Sequence, residues 1–401
     1  MAKHKGTEGT KLNRIHPYPA MIADEFALHV ANRYVKQGSL VLDPFCGTGR
    51  TLYAAASVGG VCFGVDVNPL AVLIALAKNV KALPMMPWPV VERYSQNLSL
   101  ELQPGRKVKW FSHSVEQELS LVIGWINSLK VSSDVRIALA CILSATVREV
   151  SYCRKRQWKL HRMSATTRST FRPSALKVFK RRLEAAARDL SNPSCAKRVA
   201  VARGDARQLG EIVKRQAFPE TYDVIFTSPP YGDSRSTVGY GGMSSMCLGV
   251  LRHIRDLRLN FESGQEIDSQ CLGGRGRTNL PRLATHKYWR GKTESHEFMR
   301  VNQFLDDLAT ACKEIAAVSH PGTRAIFVVS RRSVRRRRLY IDVFLTDELK
   351  KYGFRLIDKS QRCIEGKNTP YIIDRKARCI RAERVRTMEH ELILVFERVA
   401  R

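Results

Sequence analysis

A serine, two prolines and a tyrosine follow an apolar run in the second half of the chain, at Thr227-Ser228-Pro229-Pro230-Tyr231. The run is typical of a buried strand, and it ends here because proline cannot donate a ladder hydrogen bond. Open α/β sheets hold their chemistry at the carboxyl ends of strands. A flat ring with an amino group could stack on Tyr231 and donate its amino hydrogens to the Ser228 hydroxyl and the Pro229 carbonyl. A plain strand-ending turn would fit the same residues, so this stretch alone fixes no function.

A second stretch carries glycines at the spacing of a loop that approaches a ligand closely. Residues 39–43 are typical of a buried strand, and Gly47 and Gly49 then lead into a helix N-terminus. The next strand, 61–66, ends in Asp66. An acidic residue about 20 residues after such a loop usually binds ribose hydroxyls, so the spacing predicts a nucleoside-containing ligand.

Three motifs resemble those of the DNA amino-methyltransferases that use S-adenosylmethionine. Residues 43–49 are similar to the family's cofactor loop, residues 227–231 to its catalytic motif, and residues 16–20 to an extra cofactor motif that precedes the loop. Serine at the first catalytic position is most like the cytosine-N4 branch, whereas the adenine-N6 branch more often has Asp or Asn there.

The resemblance implies the roles of individual residues. The catalytic set would be Ser228, Pro229, Pro230 and Tyr231. Asp205 would reach the adenine amino group of the cofactor, although it could equally cap the helix predicted to follow it, and the two roles are compatible. The full cofactor-binding set would be His16, Pro17, Tyr18, Asp43, Pro44, Phe45, Cys46, Gly47, Thr48, Gly49, Thr51, Asp66, Val67, Asn68, Asp205, Ala206 and Thr227.

The implied activity is methyl transfer from S-adenosylmethionine to the N4 amine of a flipped-out cytosine in double-stranded DNA. A companion restriction endonuclease acting on the same site would be a partner of such an enzyme. Three alternatives stay open: an adenine-N6 DNA methyltransferase, an RNA N2-guanine methyltransferase, and a non-catalytic DNA-binding protein on the same scaffold. The RNA alternative is disfavoured because only 38 residues precede the first strand. Carbon-5 methylation is disfavoured because it needs a cysteine after a proline, and the sequence has no Pro-Cys pair.

The elements that must position these motifs alternate between strands and helices. With the resemblance, this pattern predicts an α/β protein: a Rossmann-like class I methyltransferase with a seven-stranded, mostly parallel sheet, helices on both faces and a helical insertion. The last two strands, predicted at 354–357 and 392–396, would pair at one edge. We expect a cofactor-binding half at 1–84, a helical insertion for target recognition at 85–198, and a catalytic half at 199–401 with irregular substrate loops at 232–290.

Composition favours a polyanionic partner, because 67 Lys and Arg against 37 Asp and Glu give a formal charge of +30. Two segments concentrate this charge: the run 148–162, which includes Tyr152 and Trp158, and the arginine-rich run 331–338. A solvated basic surface is the alternative explanation. The DNA-binding residues predicted from these segments are Arg148, Arg154, Arg156, Gln157, Lys159, Arg162, Arg335, Arg336, Arg337 and Arg338. Lys367 is added because residues 367–370 resemble the family's late target-facing motif.

The ten cysteines are scattered, with no C-x-x-C pair and no cluster at metal-ligand spacing. We therefore expect no metal site and a reducing, cytoplasmic environment. The resemblance to modification methylases implies a bacterial or archaeal cell. No apolar run reaches membrane-spanning length, so no membrane association is expected.

Overall fold

The computed structural model describes most of the chain, in segments that include every predicted strand. These are residues 15–19, 21–80, 83, 109–154, 160–189, 198–232, 239–257, 262–274, 285–290, 295–334, 337–363 and 390–400. Within these segments, no helix combines the length and apolar character needed to cross a membrane.

Seven strands form one mixed sheet, which confirms the predicted fold class. They are β1 (Leu40–Asp43), β2 (Val61–Asp66), β3 (Val199–Arg203), β4 (Tyr222–Thr227), β5 (Ser319–Val329), β8 (Phe354–Cys363) and β9 (His390–Arg398). The spatial order is β3-β2-β1-β4-β5-β9-β8, with a separate two-stranded hairpin of β6 (Ser333–Val334) and β7 (Arg337–Arg338). The first five strands are parallel, whereas β9 runs antiparallel between β5 and β8. The carboxyl ends of β1 to β4 therefore share one edge, as a site built from their loops requires.

Strand side chains alternate between two hydrophobic cores, one on each face of the sheet. In β5, Ile326 and Val328 belong to one core, and Ala325, Phe327 and Val329 belong to the other. This alternation follows from the two-residue period of a strand.

Helices cover both faces. The first core receives α1 (Asp24–Tyr34), α2 (Arg50–Ser57), α3 (Pro69–Ala77), α4 (His113–Ser128), α5 (Ser133–Val150), α7 (Ala175–Asp189) and α9 (Tyr240–Leu251). The second receives α8 (Leu209–Arg215), α11 (Thr285–Tyr288), α12 (His296–Ala317) and α13 (Ile341–Lys350). Two short helices, α6 (Ala165–Thr170) and α10 (Gly264–Gln270), complete the described set.

The helices of the predicted insertion are continuous with the core of the cofactor-binding half. Residues 138–145 of α5 are buried, and α5 packs against α3, α7 and α9. An apolar surface shared in this way is removed from water only when these elements fold together. The division at 84 and 198 remains a prediction.

The expectation of irregular structure throughout 232–290 is wrong. Residues 240–251 form α9, which is buried on nearly every side, and α10 packs against it. A helix that is apolar all round gives no 3.6-residue alternation, so the sequence pattern could not reveal it. Gly241 lets the two helices approach closely, because a Cβ there would lie 1.9 Å from the Gly264 carbonyl oxygen.

Candidate functional site

An open cavity lies at the shared carboxyl edge of β1 to β4. Its volume is about 1060 Å³, including solvent at its mouth. The cofactor-loop motif and the catalytic motif, although far apart in sequence, both contribute to its wall. The lining residues are Tyr18, Pro19, Met21, Ile22, Asp43, Pro44, Phe45, Cys46, Gly47, Thr48, Arg50, Thr51, Asp66, Val67, Asn68, Gly204, Asp205, Ala206, Ser228, Pro229, Pro230, Tyr231, Tyr240, Gln270, Cys271 and Leu272.

The glycine loop turns sharply from β1 into α2. Gly47 and Gly49 have positive φ angles of 52° and 78°, a region that other residues rarely adopt. Gly49 is the N-cap of α2 and does not itself line the cavity. The buried Lys78 ammonium donates to the Thr48 carbonyl at 2.6 Å, and burial lowers the pKa of this amine to about 7. The loop is thus held from behind, with its other side facing the cavity.

Asp66 ends β2 with its carboxylate at the cavity. The Gly47 and Asn68 backbone N–H groups each donate to it at 2.8 Å. Burial raises the pKa of Asp66 to about 6, against the opposing effect of these two hydrogen bonds. Each carboxylate oxygen has further acceptor capacity, so Asp66 can also accept from the hydroxyls of a ligand.

Asp43 joins β1 to β4. Its carboxylate accepts from the Thr227 hydroxyl at 2.5 Å, from the Phe45 backbone N–H at 3.0 Å and from the Thr51 hydroxyl. Burial is the main cause that raises its pKa to about 6. Thr227 was expected to bind cofactor, but its buried side chain points at Asp43 and does not line the cavity.

Residues 15–19 cover one side of the cavity, and only part of the predicted motif faces it. Tyr18 lines the cavity, whereas His16 and Pro17 do not. His16 is buried: its Nδ1 donates to the Pro17 carbonyl at 2.7 Å, and its Nε2 accepts from the Ser144 hydroxyl at 2.9 Å. Burial lowers the pKa of His16 to about 3, so the ring is neutral and ties this segment to α5.

Two tyrosines form an aromatic wall that the sequence only partly indicated. The rings of Tyr18 and Tyr240 are stacked, with centroids 5.9 Å apart and planes 21° apart. The Asn68 amide donates to the Tyr18 hydroxyl at 2.8 Å and to the Ser244 hydroxyl at 2.9 Å. Because Tyr240 begins α9, its place depends on the helix that the sequence pattern did not predict.

Asp205 performs the capping role that was one of its two expected functions. It accepts from the Arg207 backbone N–H at 2.9 Å and pairs with the Arg207 guanidinium at 2.6 Å, while still lining the cavity. Arg207 also pairs with Asp307 at 2.7 Å, and Asp307 accepts from the Gly273 backbone N–H at 2.7 Å. This network fixes the segment 270–272, a part of the wall that no motif had indicated.

The catalytic motif is anchored by β5 and β9. The Ser228 hydroxyl donates to the Val328 carbonyl at 3.1 Å and lies 3.1 Å from the Tyr231 hydroxyl. The Tyr231 hydroxyl in turn donates to Glu391 at 3.2 Å. Sequence reasoning missed Glu391, because it lies on a strand remote from every motif.

The structure places the predicted DNA-binding residues in different surroundings. Arg148 is half-buried and donates to the Pro17 carbonyl at 3.4 Å, so its side chain supports the cavity wall instead of facing solvent. Arg154 is exposed and Arg162 is half-buried, and an antiparallel bridge pairs Cys153 with Arg162. Arg337 and Arg338 are exposed on β7. Six further candidates lie outside the described residues: Arg156, Gln157, Lys159, Arg335, Arg336 and Lys367.

The described part of the chain contains no group of three or more His, Cys, Asp or Glu side chains arranged to hold a metal ion. The polar groups at the cavity instead include three carboxylates, backbone amides and hydroxyls, a set suited to an organic ligand with hydroxyl and amino groups.

Comparison with known proteins gives matches in sequence. Residues 2–77 match the N6_N4_Mtase family, described as DNA methylase. The chain is 26% identical over 395 residues to the Type II methyltransferase M.MvaI of Kocuria varians, covering 89% of this chain and 85% of that protein. It is 33% identical over 72 residues to the Type II methyltransferase M.MjaII of Methanocaldococcus jannaschii, which covers 18% of this chain and 14% of that protein.

Solved structures also align with most of the chain. The rRNA methyltransferase aviRa from Streptomyces viridochromogenes is 10% identical with a TM-score of 0.36, covering 97% of this chain and 93% of that one. TrmN from Thermus thermophilus is 13% identical with a TM-score of 0.29, covering 94% of this chain and 48% of that one. The family match and the similarity to M.MvaI over most of both chains support a DNA methylase of the N4/N6 class.

Proposed function

We propose that this protein transfers a methyl group from S-adenosylmethionine to the exocyclic N4 amine of a cytosine in double-stranded DNA. One observation carries the proposal: Ser228, Pro229 and Tyr231 line the same cavity as Asp66 and the glycine loop. A group held by the loop and a base held by the catalytic motif would therefore meet inside one site.

The cavity wall fits the proposed cofactor. Asp66 offers acceptors for ribose hydroxyls, and Asp205 lies beside it at the end of the next strand. The glycine loop leaves room for the methionine part at the end of β1. When bound, S-adenosylmethionine supplies a methyl group activated by its positively charged sulfur.

The catalytic motif would act by positioning the target amine. The lone pair of a cytosine amine is delocalised into the ring, so the nitrogen is a poor nucleophile. Hydrogen bonds from its two protons to the Ser228 hydroxyl and the Pro229 carbonyl would localise this lone pair. Placement then contributes more than acid–base power, because charge declines as the methyl group moves to nitrogen. The methylated nitrogen finally releases one proton.

A base inside a duplex cannot reach this cavity, so we propose that the target cytosine is flipped out and stacks on Tyr231. The half-buried ring of Tyr231 packs against the second core, and its hydroxyl is tethered to Ser228 and Glu391. A ring held in this way offers a fixed stacking surface, which reduces the entropy lost when the base binds.

Sequence recognition is proposed for residues 85–198, and phosphate contact for the exposed arginines of β7. Arg154 and Arg162 are the described members of the first set that could pair with base edges. A companion endonuclease that cuts the same site would complete a restriction–modification pair in the cytoplasm.

The experiment that tests this function identifies the methylated nucleoside. Duplex DNA is incubated with the protein and labelled S-adenosylmethionine, digested, and analysed by mass spectrometry. We expect N4-methylcytosine. N6-methyladenine would establish the adenine alternative, and label in tRNA but not in DNA would establish the RNA alternative.

A matched variant ties the product to the site. Ser228→Ala should bind S-adenosylmethionine normally but methylate slowly, because the hydroxyl acts on the base and not on the donor. Cofactor binding by the wild-type protein without methyl transfer to any nucleic acid would instead indicate a DNA-binding scaffold.

A further inference from the structure

A chain of three polar groups leads from the catalytic motif into the sheet. Ser228 Oγ lies 3.1 Å from the Tyr231 hydroxyl, and the Tyr231 hydroxyl lies 3.2 Å from Glu391 Oε1. Ser228 Oγ also lies 3.1 Å from the Val328 carbonyl oxygen. Only the first member of this chain is placed to touch the target amine.

Glu391 is fixed from its other side. It is 6% exposed, and its second oxygen, Oε2, accepts from Arg362 Nε at 2.8 Å. Arg362 is directly opposite Glu391 in the β8–β9 register, and its guanidinium lies 3.9 Å from the centre of the Phe26 ring. Two donors of Arg362 reach the same oxygen of Glu391, and together with the strand register they fix the orientation of the carboxylate.

The two hydroxyl protons must be shared among three contacts. The Val328 carbonyl and the Glu391 carboxylate can only accept. With Glu391 ionised, Tyr231 donates to Glu391, and Ser228 donates to Val328 or to Tyr231. In either arrangement no donor among these hydrogen bonds is directed at Ser228 Oγ, so its lone pairs remain available to accept. Burial, reinforced by the Glu391 charge, raises the pKa of Tyr231, so the phenol keeps the proton that it donates.

We propose that Glu391 is a positioning residue for methyl transfer: by accepting the Tyr231 proton, it keeps Ser228 Oγ available to accept a proton from the target amine. This inference rests on the proposed function, since it concerns the same amine. Glu391 does not touch the substrate and acts only through Tyr231.

Glu391→Gln tests the proposal because Arg362 orients the new amide. Arg362 can only donate, so the Gln oxygen should face Arg362 and the Gln NH2 should face Tyr231. Tyr231 must then accept from Gln and direct its own proton to Ser228 Oγ, where it occupies one of the two lone pairs and competes with the target amine. We expect kcat to fall about tenfold, the scale of one hydrogen bond, with cofactor affinity and KM for DNA unchanged.

The decisive comparison repeats the substitution in a Tyr231→Phe background. Phenylalanine has no hydroxyl, so Glu391→Gln should leave kcat of that background unchanged. A fall of the same size in both backgrounds would overturn the proposal, because it would show that Glu391 only supports the sheet. Glu397→Gln, the same change towards the other end of β9, is the matched control and should behave as wild type in both backgrounds.

A second variant separates chemistry from size. Glu391→Asp keeps a carboxylate that only accepts but loses length, whereas Gln keeps the length but can donate. The proposal expects Asp to retain more kcat than Gln, and the opposite order overturns it. If Gln prevents folding, a folded Asp variant slowed more than about tenfold also overturns it. Absence of methyl transfer by the wild type would instead refute the proposed function.

Discussion

Two carboxylates at the cavity, buried Asp43 and half-buried Asp66, have different functions. Asp43 accepts hydrogen bonds from groups of the protein itself and links β1 to β4. Asp66 accepts from two backbone amides and retains acceptor capacity at the cavity. Burial raises the pKa of each to about 6, so both are sensitive to mild acid.

Cofactor affinity should therefore depend on pH through Asp66. A carboxyl whose pKa is raised to about 6 is charged above this value and neutral below it. Ribose hydroxyls donate more strongly to the charged form, so affinity should be lost as pH falls, by up to about tenfold for each pH unit below the pKa. Calorimetry across pH 5 to 8, with S-adenosylmethionine as ligand, measures this directly.

Asp66→Ala should weaken cofactor binding by about 1–3 kcal/mol and flatten the pH profile. Asp223→Ala provides the control, because Asp223 is exposed at the opposite end of β4 from the catalytic motif. An unchanged affinity in folded Asp66→Ala would assign the ribose contact to another residue.

Among single residues, Thr227 also stabilises the fold, through its hydrogen bond to Asp43. Thr227→Val keeps the shape of the side chain but removes the proton donated to the buried Asp43 carboxylate. We expect the free energy of unfolding to fall by about 1–3 kcal/mol. Thr310→Val, at an exposed position of α12, should change it little, and denaturant titration compares the two. Equal effects would mean that the β1–β4 hydrogen bond contributes nothing of its own.

At the scale of elements, α9 connects the two halves of the site. Its first residue, Tyr240, stacks on Tyr18, and its body packs against α3, α5 and α10. Close approach of α9 to α10 depends on Gly241, where a Cβ would lie within 1.9 Å of the Gly264 carbonyl oxygen. Backbone atoms cannot give way as a flexible side chain can, so this contact admits only glycine without a shift.

Gly241→Ala should accordingly separate α9 from α10 and destabilise the protein by about 1–3 kcal/mol, as overpacking does. Because Tyr240 would move with the helix, cofactor affinity should fall too. Gly239→Ala is the matched control, since a Cβ there meets nothing within 4 Å. A Gly241→Ala protein with wild-type stability and affinity would show that the helices have room to separate freely.

At the scale of the whole molecule, the parallel strands could be predicted from sequence because each contains a short apolar run, and those of β2 and β4 lead directly to the motif residues Asp66 and Ser228. What could not be predicted depends on chain segments that meet only after folding. Glu391 reaches the catalytic motif from β9, and α9 is too uniformly apolar to show a helical period. The motifs also did not show which way their side chains point: His16 and Thr227 point into the protein, away from the cavity.

The charge of +30 should make DNA binding strongly dependent on salt. If Arg337 and Arg338 contact phosphates, replacing both with Ala should reduce the slope of log affinity against log salt by about 0.9 for each contact. Lys214→Ala with Arg215→Ala removes the same charge at the end of α8, which returns to the opposite edge of the sheet. If the two double variants had equal slopes of log affinity against log salt, β7 would not contact the DNA duplex.

The position of β9 has a kinetic consequence for a newly made chain. β9 pairs with β5 on one side and β8 on the other, and it brings Glu391 to Tyr231. Before β9 docks, the glycine loop and catalytic motif of a newly made chain can fold while the edge of β5 is still unpaired. Such an intermediate would be prone to association through that edge. Docking of β9 thus closes the edge of β5 and brings Glu391 to Tyr231 in the same step.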